Sequence, residues 1–185
     1  MSPWLRRVAP AALLPALLPV LGGCTVPVAG ITGVSVTPDG KPVGVILVCH
    51  DRVDAAVLYP APPDTADDTA DDTADEAGPE PEPEYEDLWN STEAVTGFTS
   101  WPLTEASGNG WTPEAPPHAL EEGQVYTLYG ATRDGSWSTS SHSFTPADLK
   151  ELTPDRVSYT LVDEDGERVR TTTLADFRAH ACKGF

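Results

Sequence analysis

A stretch rich in acidic and small residues, from Asp64 to Asp87, limits what this chain can fold into. It contains twelve carboxylate side chains, and no lysine or arginine occurs between Arg52 and Arg133. A segment with so little apolar surface cannot contribute to a core, and its self-repulsion favours an extended chain. We therefore predict a disordered acidic loop over residues 62–87. A solvated insertion between strands is favoured over a cation-holding or partner-attracting segment, because loop-closure entropy grows only slowly with length.

The N-terminus carries a short apolar segment behind Arg6 and Arg7. The segment from Val8 to Gly23 contains three prolines. It is also shorter than the roughly 20 apolar residues that a membrane-spanning helix needs. A basic start, a short apolar run and small residues at its end are the parts of a secretory signal peptide. We therefore predict a signal peptide over residues 1–23.

The run from Leu21 to Cys24 (LGGC) resembles the lipobox of bacterial lipoproteins. The resemblance implies that Cys24 becomes the mature N-terminus and carries a thioether-linked diacylglycerol. As a whole, the chain resembles secreted lipoproteins of high-GC Gram-positive bacteria. This implies a protein anchored by lipid to the extracytoplasmic face of the cell membrane, with residues 24–30 as a short tether before the first strand.

The charge of the chain excludes several classes of partner. It carries 29 acidic and 11 basic residues, a formal net charge of −18. Such an excess argues against nucleic-acid binding and against electrostatic adhesion to anionic lipid. The predicted contact with the membrane is therefore made by the acyl chains on Cys24.

Alternating apolar and polar residues predict strands on both sides of the acidic segment. A hairpin turns at residues 38–41 (PDGK), where proline presets one backbone angle and glycine permits a positive φ. Residues 53–60 and 94–103 are predicted as the third and fourth strands. In the second arm of the hairpin one face carries Val43, Val45, Leu47 and Cys49.

The segment from Ala119 to Thr145 resembles the last two strands of a fibronectin type III domain, in which a Leu-x-x-Gly-x-x-Tyr-x-Leu run forms a corner between sheets. The matching residues are Leu120, Gly123, Tyr126 and Leu128. The resemblance implies that Tyr126 is a structural corner residue whose hydroxyl bonds to upstream backbone. It also implies a mainly β fold, a fibronectin type III or immunoglobulin-like β-sandwich, over residues 31–144.

Residues 145–185 are predicted to form a helix, a hairpin and a second helix packed on the same domain. Thr145 is a helix cap with proline at the next position, and that helix ends near Leu152. Residues 163–166 form the turn of the hairpin, and their acidic pattern lacks the other ligands of a calcium loop. The closing helix starts at Leu174 and places Cys182 on its apolar face.

Two thiols, Cys49 and Cys182, remain once Cys24 is lipidated. In an oxidising compartment they are predicted to form a disulfide. The alternative is a zinc site that adds His50 and His180. It is disfavoured because neighbouring residues of a strand point to opposite faces, so Cys49 and His50 would not face one ion.

The chain contains no catalytic, cofactor or metal motif. His142 lacks a nucleophile elbow and an orienting acid, and is interpreted as structural beside Phe144. Trp111 and Trp137 follow glycine-containing turns and are the candidate binding anchors. A regular strand through Phe144 would place Trp137 on the opposite face, so Trp137 is predicted to face solvent. The competing interpretation is that both tryptophans cap the open end of a sandwich core.

These patterns predict a membrane-anchored module that binds a protein or the cell wall, with no enzymatic activity and no cofactor. One alternative is an enzyme or accessory subunit whose active site is assembled from scattered residues. Another is a passive surface protein whose acidic loop holds cations. A deep pocket with convergent polar groups would favour the enzyme, and a flat aromatic patch would favour binding.

Overall fold

The computed structural model describes residues 26–61, 85–163 and 166–184. The predicted signal peptide, Cys24, the acidic residues 62–84 and the tip of the C-terminal hairpin lie outside this part of the chain. The strands are β1 (Val28–Val36), β2 (Pro42–Val48), β3 (Val53–Pro60), β4 (Asp87–Val95), β5 (Phe98–Pro102), β6 (Trp111–Pro113), β7 (Tyr126–Ala131), β8 (Ser138–Ser140), β9 (His142–Phe144), β10 (Arg156–Asp163) and β11 (Gly166–Thr173). The helices are α1 (Pro146–Glu151) and α2 (Leu174–His180), which a 3₁₀ turn follows (Ala181–Gly184).

The fold is mainly β, as predicted, and its strands form one large mixed sheet that is nearly barrel-shaped. Strand β1 is the hub of the sheet. It pairs with β2 along one edge, and along the other edge first with β8 in parallel and then with β10 in antiparallel. Strand β5 extends the sheet beyond β2, and β11 extends it beyond β10. On the side of β1 that pairs with β8, the neighbouring strands continue in the order β8, β7, β3, β4 and β6.

The predicted hairpin at the start of the fold is confirmed. Strands β1 and β2 pair from Gly30 to Val36 without a break in register. Gly40 adopts a φ of +79°, a value that L side chains rarely adopt. Strand β1 begins at Val28, however, so part of the segment predicted as a tether already belongs to the sheet.

Strands β1 and β2 are buried on both faces, which explains why their sequences are almost continuously apolar. On one face Ile31, Val45 and Leu47 pack with Phe177 of α2 in a smaller core. On the other face lies the main core, which contains Val34, Ile46, Leu58, Trp89, Trp101, Trp111, Tyr126, Leu128 and Phe144. The first hairpin is therefore the middle layer between the two cores.

The C-terminal region follows the sequence prediction closely. Thr145 caps α1, since its side chain accepts a hydrogen bond from the backbone of Asp148 and the Asp148 carboxylate accepts one from the backbone of Thr145. Thr173 caps α2 in a similar way through Asp176. The hairpin β10–β11 lies between the two helices along the chain, with its strands in register.

The prediction of one strand over residues 94–103 is wrong. The structure ends β4 at Val95 and starts β5 at Phe98. Strand β4 pairs with β3, whereas β5 pairs with β2. The short connection at Thr96 and Gly97 therefore carries the chain from one part of the sheet to another, and the predicted strand covers the end of β4 and all of β5.

The predicted acidic loop also ends too late. Asp87 is the first residue of β4 and is 5% exposed.

In the part of the chain that the structure describes, no helix is long and apolar enough to cross a membrane.

Candidate functional site

The predicted disulfide between Cys49 and Cys182 is present, with the two Cα atoms 5.5 Å apart. Cys49 follows β2 on the face that carries Val45 and Leu47, and Cys182 packs against the same smaller core. Strand alternation and helical phase therefore placed both thiols correctly. Because both sulfur atoms are in the disulfide, the zinc alternative is excluded. The described residues contain no group of three or more histidine, cysteine or acidic side chains that could hold a metal ion.

The prediction that Trp111 is an exposed binding anchor is wrong. Its side chain is 1% exposed and stacks on Trp101, with ring centroids 4.7 Å apart. Its indole Nε1 donates a hydrogen bond of 2.8 Å to Thr99 Oγ1. The turn before it is tight, with Asn109 and Gly110 at positive φ, and it directs the tryptophan into the main core.

The prediction that Trp137 faces solvent is also wrong, because the strand that follows it is not regular. Ala131 of β7 pairs with Ser138, but Leu128 pairs with His142, so the register shifts by one residue at Ser141. In a regular strand, Trp137 and Phe144 would point to opposite faces because their positions are an odd number of residues apart. The one-residue shift places both side chains on the core side. Trp137 is half-buried and packs against the main core.

Tyr126 makes the corner contact that the fibronectin resemblance implied. Its hydroxyl accepts a hydrogen bond of 2.8 Å from the backbone N–H of Glu121, five residues upstream. The side chain is 1% exposed and packs on Phe144. The pKa of the neighbouring Tyr85 is raised above its usual value. Burial is the main cause, and a hydrogen bond with Tyr126 contributes less.

His142 is structural, as predicted, and it is buried in a neutral form. Its side chain is 1% exposed and lies beside Phe144, and Nδ1 is 3.0 Å from Thr160 Oγ1. Its Nε2 is buried with no hydrogen-bond partner among the residues described. Burial lowers the pKa of His142 to about 4, although the nearby Asp148 carboxylate acts in the opposite direction.

This burial predicts an acid-sensitive fold. The folded-state pKa of His142 is below the unfolded value of 6.5, so the unfolded chain binds the extra proton and stability falls as pH decreases from about 6.5 to about 4. The loss is expected to be about 3 kcal/mol, from about 1.4 kcal/mol per pKa unit. Urea unfolding of wild type and His142→Phe between pH 7 and pH 4 should show the decline in wild type and a flatter profile in the variant. The exposed His180, changed to Phe, is the control, and equal slopes in all three proteins would contradict the prediction.

An apolar groove of about 540 Å³ lies at the end of the fold where β1 meets the β1–β2 turn. Its walls come from the turn, from the segment after β5, from residues 117–120 and from α1. The lining residues are Val36, Gly40, Pro42, Thr104, Pro117, His118, Ala119, Leu120, Pro146, Leu149, Lys150 and Leu152. Three prolines and a capped helix give this groove stiff walls, which suits a preformed binding site.

His118 is the polar group of this groove with a buried partner. Its Nδ1 lies 2.7 Å from Asp87 Oδ1, and its backbone N–H donates a 3.0 Å hydrogen bond to Asp87 Oδ2. Tyr85 stacks on the imidazole ring with centroids 3.9 Å apart. About half of the His118 side chain is exposed, whereas Asp87 is buried. The pair therefore presents a fixed imidazole to the groove.

The pair determines which ring nitrogen of His118 a ligand can contact. A carboxylate accepts hydrogen bonds, so Nδ1 is engaged by Asp87 and Nε2 is the ring nitrogen left for a ligand. Among the described residues, no serine, threonine or cysteine side chain hydrogen-bonds to His118. The groove thus combines an apolar surface with one imidazole that is held in a fixed orientation.

Sequence patterns do not reveal this site, because Asp87 belongs by composition to the acidic segment. The alternation of buried Asp87, Trp89 and Ser91 with less buried residues exists only in the folded strand, since residues 87–91 (DLWNS) do not alternate in hydropathy. His118 carried no pattern of its own. No known protein family matches the chain, and no curated protein or solved structure is similar to it.

Proposed function

We propose that this chain is a lipid-anchored extracytoplasmic module that binds an apolar segment of a protein partner in the groove beside His118. The observation that carries the proposal is the groove itself, a preformed concave surface with apolar walls and one oriented imidazole. Sites of this kind bind through apolar contact and take their specificity from a few polar groups. Binding, rather than catalysis, is the function that this arrangement supports.

A protein ligand is favoured over a cell-wall glycan. Glycan sites commonly present exposed aromatic faces to sugar rings, but the lining of the groove contains no tryptophan, tyrosine or phenylalanine. The groove offers aliphatic side chains and prolines, which suit leucine- or valine-like side chains of a peptide.

The position of the groove agrees with an anchored module. Val36, at the C-terminal end of β1, lines the groove, whereas Val28 begins the strand on the side of the predicted anchor. At about 3.3 Å per residue, these two ends are about 26 Å apart. In a protein anchored at Cys24, the groove would therefore lie at the end of β1 that is remote from the anchor.

We also propose that the scaffold has the strand order of an immunoglobulin or fibronectin type III sandwich. The neighbours β1, β2 and β5 form one group, and β4, β3, β7 and β9 form the other. This is the order of the two layers in such sandwiches, and the Tyr126 corner supports it. In these scaffolds, loops at one end of the sandwich commonly form the binding site.

The groove is tested by filling it at an exposed position. Peptides are selected from a phage-displayed random library on the full chain, synthesised, and measured against two variants by calorimetry. Ala119 is exposed and lines the groove, and Ala115 is exposed on the same segment outside it. Ala119→Arg should weaken binding of the selected peptides by at least about tenfold, corresponding to about 1.4 kcal/mol. Ala115→Arg should leave binding unchanged. Equal affinities for both variants, or selected peptides without apolar residues, would refute the proposed site.

The anchor is tested separately in a bacterial host that lipidates exported proteins. Intact-mass measurement should show a diacylglyceryl group on a mature N-terminus at Cys24, and the protein should partition into detergent. Cys24→Ala should remove both properties, because the thioether forms on that sulfur. A native protein with an unmodified N-terminus would refute the lipid anchor and leave the groove result unaffected.

A further inference from the structure

A second concave surface lies at the opposite end of β1 from the groove. Strands β8 and β10 share one edge of β1, with β8 pairing from Val28 to Ile31 and β10 at Gly33 and Val34. Strand β8 pairs with the first half of β1 and β10 with the second half, so β8 and β10 lie apart on either side of the point where one replaces the other. They leave a cleft of about 390 Å³, whose apolar lining is Val28, Ile31, Leu161 and Val162.

Exposed apolar side chains concentrate around this cleft. Five large hydrophobic residues are exposed in the described ranges, and all are valines. Val28 and Val162 line the cleft, and Val26 precedes Val28 by two residues. Val169 lies on the same face of the β10–β11 hairpin as Val162 but lines a separate pocket beside His142, and the fifth, Val125, lies elsewhere in the fold. Monomeric proteins rarely leave such side chains grouped in the open without a ligand or partner.

The chain enters the fold beside this cleft. The backbone oxygen of Pro27 accepts a hydrogen bond of 3.1 Å from the N–H of Ser138, which fixes the start of the domain against β8. Cys24 lies three residues before Pro27, and three residues of extended chain span at most about 11 Å. A lipid on Cys24 is therefore within reach of the cleft.

We propose that the cleft holds one fatty acyl chain of the diacylglyceryl group carried by Cys24. This inference rests on the lipid anchor of the proposed function and adds a binding site within the domain for part of that anchor. Its volume is within the range of small-molecule sites. The occupant is the chain's own lipid because the cleft opens where the N-terminal segment arrives.

The polar groups of the cleft favour an ester over a free fatty acid. Ser140 lines the cleft, and its buried hydroxyl has no hydrogen-bond partner among the described residues. It can donate to the ester carbonyl of a glyceride. Glu167 also lines the cleft, and its carboxylate repels the carboxylate of a free fatty acid. An uncharged acyl ester avoids this repulsion and still accepts the hydrogen bond from Ser140.

The test is photocrosslinking of the anchored lipid. The full chain is produced in a lipidating host supplied with a fatty acid that carries a diazirine near its terminal methyl group. The purified lipoprotein in detergent is weighed intact, irradiated and digested. Crosslinks from the Cys24 lipid to peptides that contain Val28, Leu161 or Val162 are expected. Crosslinks only to detergent, or to peptides elsewhere in the fold, would overturn the proposal.

Two exposed valines provide matched variants. Val162→Asp places a carboxylate in the cleft and should lower the yield of these crosslinks by at least about tenfold, because an ionised group opposes burial of hydrocarbon beside it. Val125→Asp makes the same change away from the cleft and should leave the yield unchanged. An equal yield in both variants would overturn the proposal. Intact mass separates the two levels, since a protein without lipid refutes the anchor and this inference together, whereas a lipidated protein without cleft crosslinks refutes this inference alone.

Discussion

Reduction of the Cys49–Cys182 disulfide is expected to lower the free energy of unfolding by about 5 kcal/mol. The bridge connects residues 133 positions apart. A crosslink over so long a loop removes much of the conformational freedom of the unfolded chain, and chain entropy gives about 5 kcal/mol for loops of this size. Domains have total stabilities of only about 5–15 kcal/mol. Loss of the bridge should therefore lower the melting temperature by tens of degrees or unfold the domain.

Thermal and urea unfolding with and without a phosphine reductant measure this effect. Cys182→Ser should reproduce the effect of reduction, and the reductant should then have no further effect on that variant. The bridge joins the turn after β2 to the 3₁₀ turn after α2, so the smaller core around Phe177 is expected to loosen first. If the oxidised and reduced proteins unfold at the same urea concentration, the bridge contributes little to stability.

Replacement of Trp101 by alanine is expected to cost about 3–5 kcal/mol, the range for removing a fully buried large aromatic side chain. Trp101 is 0% exposed and stacks on Trp111, and its ring centroid lies 6.4 Å from that of Trp89. Gly44 of β2 lies so close that an added Cβ would be 2.6 Å from the Trp101 ring. The surrounding backbone is therefore shaped around this side chain and cannot collapse fully into the space it leaves.

The matched control is Trp137→Ala. Trp137 is half-buried at the boundary of the same core, so its loss should cost clearly less than that of Trp101. Urea unfolding of both variants at pH 7 measures the difference. A loss for Trp137 equal to that for Trp101 would mean that both side chains are equivalent parts of the core.

Local patterns predicted the parts of the fold that local physics decides. The turn at Gly40, the cap at Thr145 and the inward phase of Cys49 each depend on residues within one turn or strand. The disulfide could be predicted because two independent local phases pointed to the same side of their elements. These features need no knowledge of which strands become neighbours.

The errors have a common physical cause, which is tertiary pairing. The one-residue register shift at Ser141 turned Trp137 to the face opposite the one predicted. No sequence pattern near Ser141 indicates such a shift. Asp87 belongs by composition to the acidic segment, yet its hydrogen bonds to His118 are made across a separation of 31 residues. The groove joins segments around residues 36–42, 117–120 and 146–152, and only the folded sheet brings them together.

The hub position of β1 has a mechanical consequence. If the lipid holds the N-terminal side of β1 and a partner pulls from the groove at its other end, tension runs along the axis of this strand. The strand is hydrogen-bonded on both edges, to β2 on one side and to β8 and β10 on the other. A load in that direction shears many backbone hydrogen bonds together instead of opening them one after another. Under such a load, the paired edges of β1 would keep the domain from unravelling at its N-terminal end.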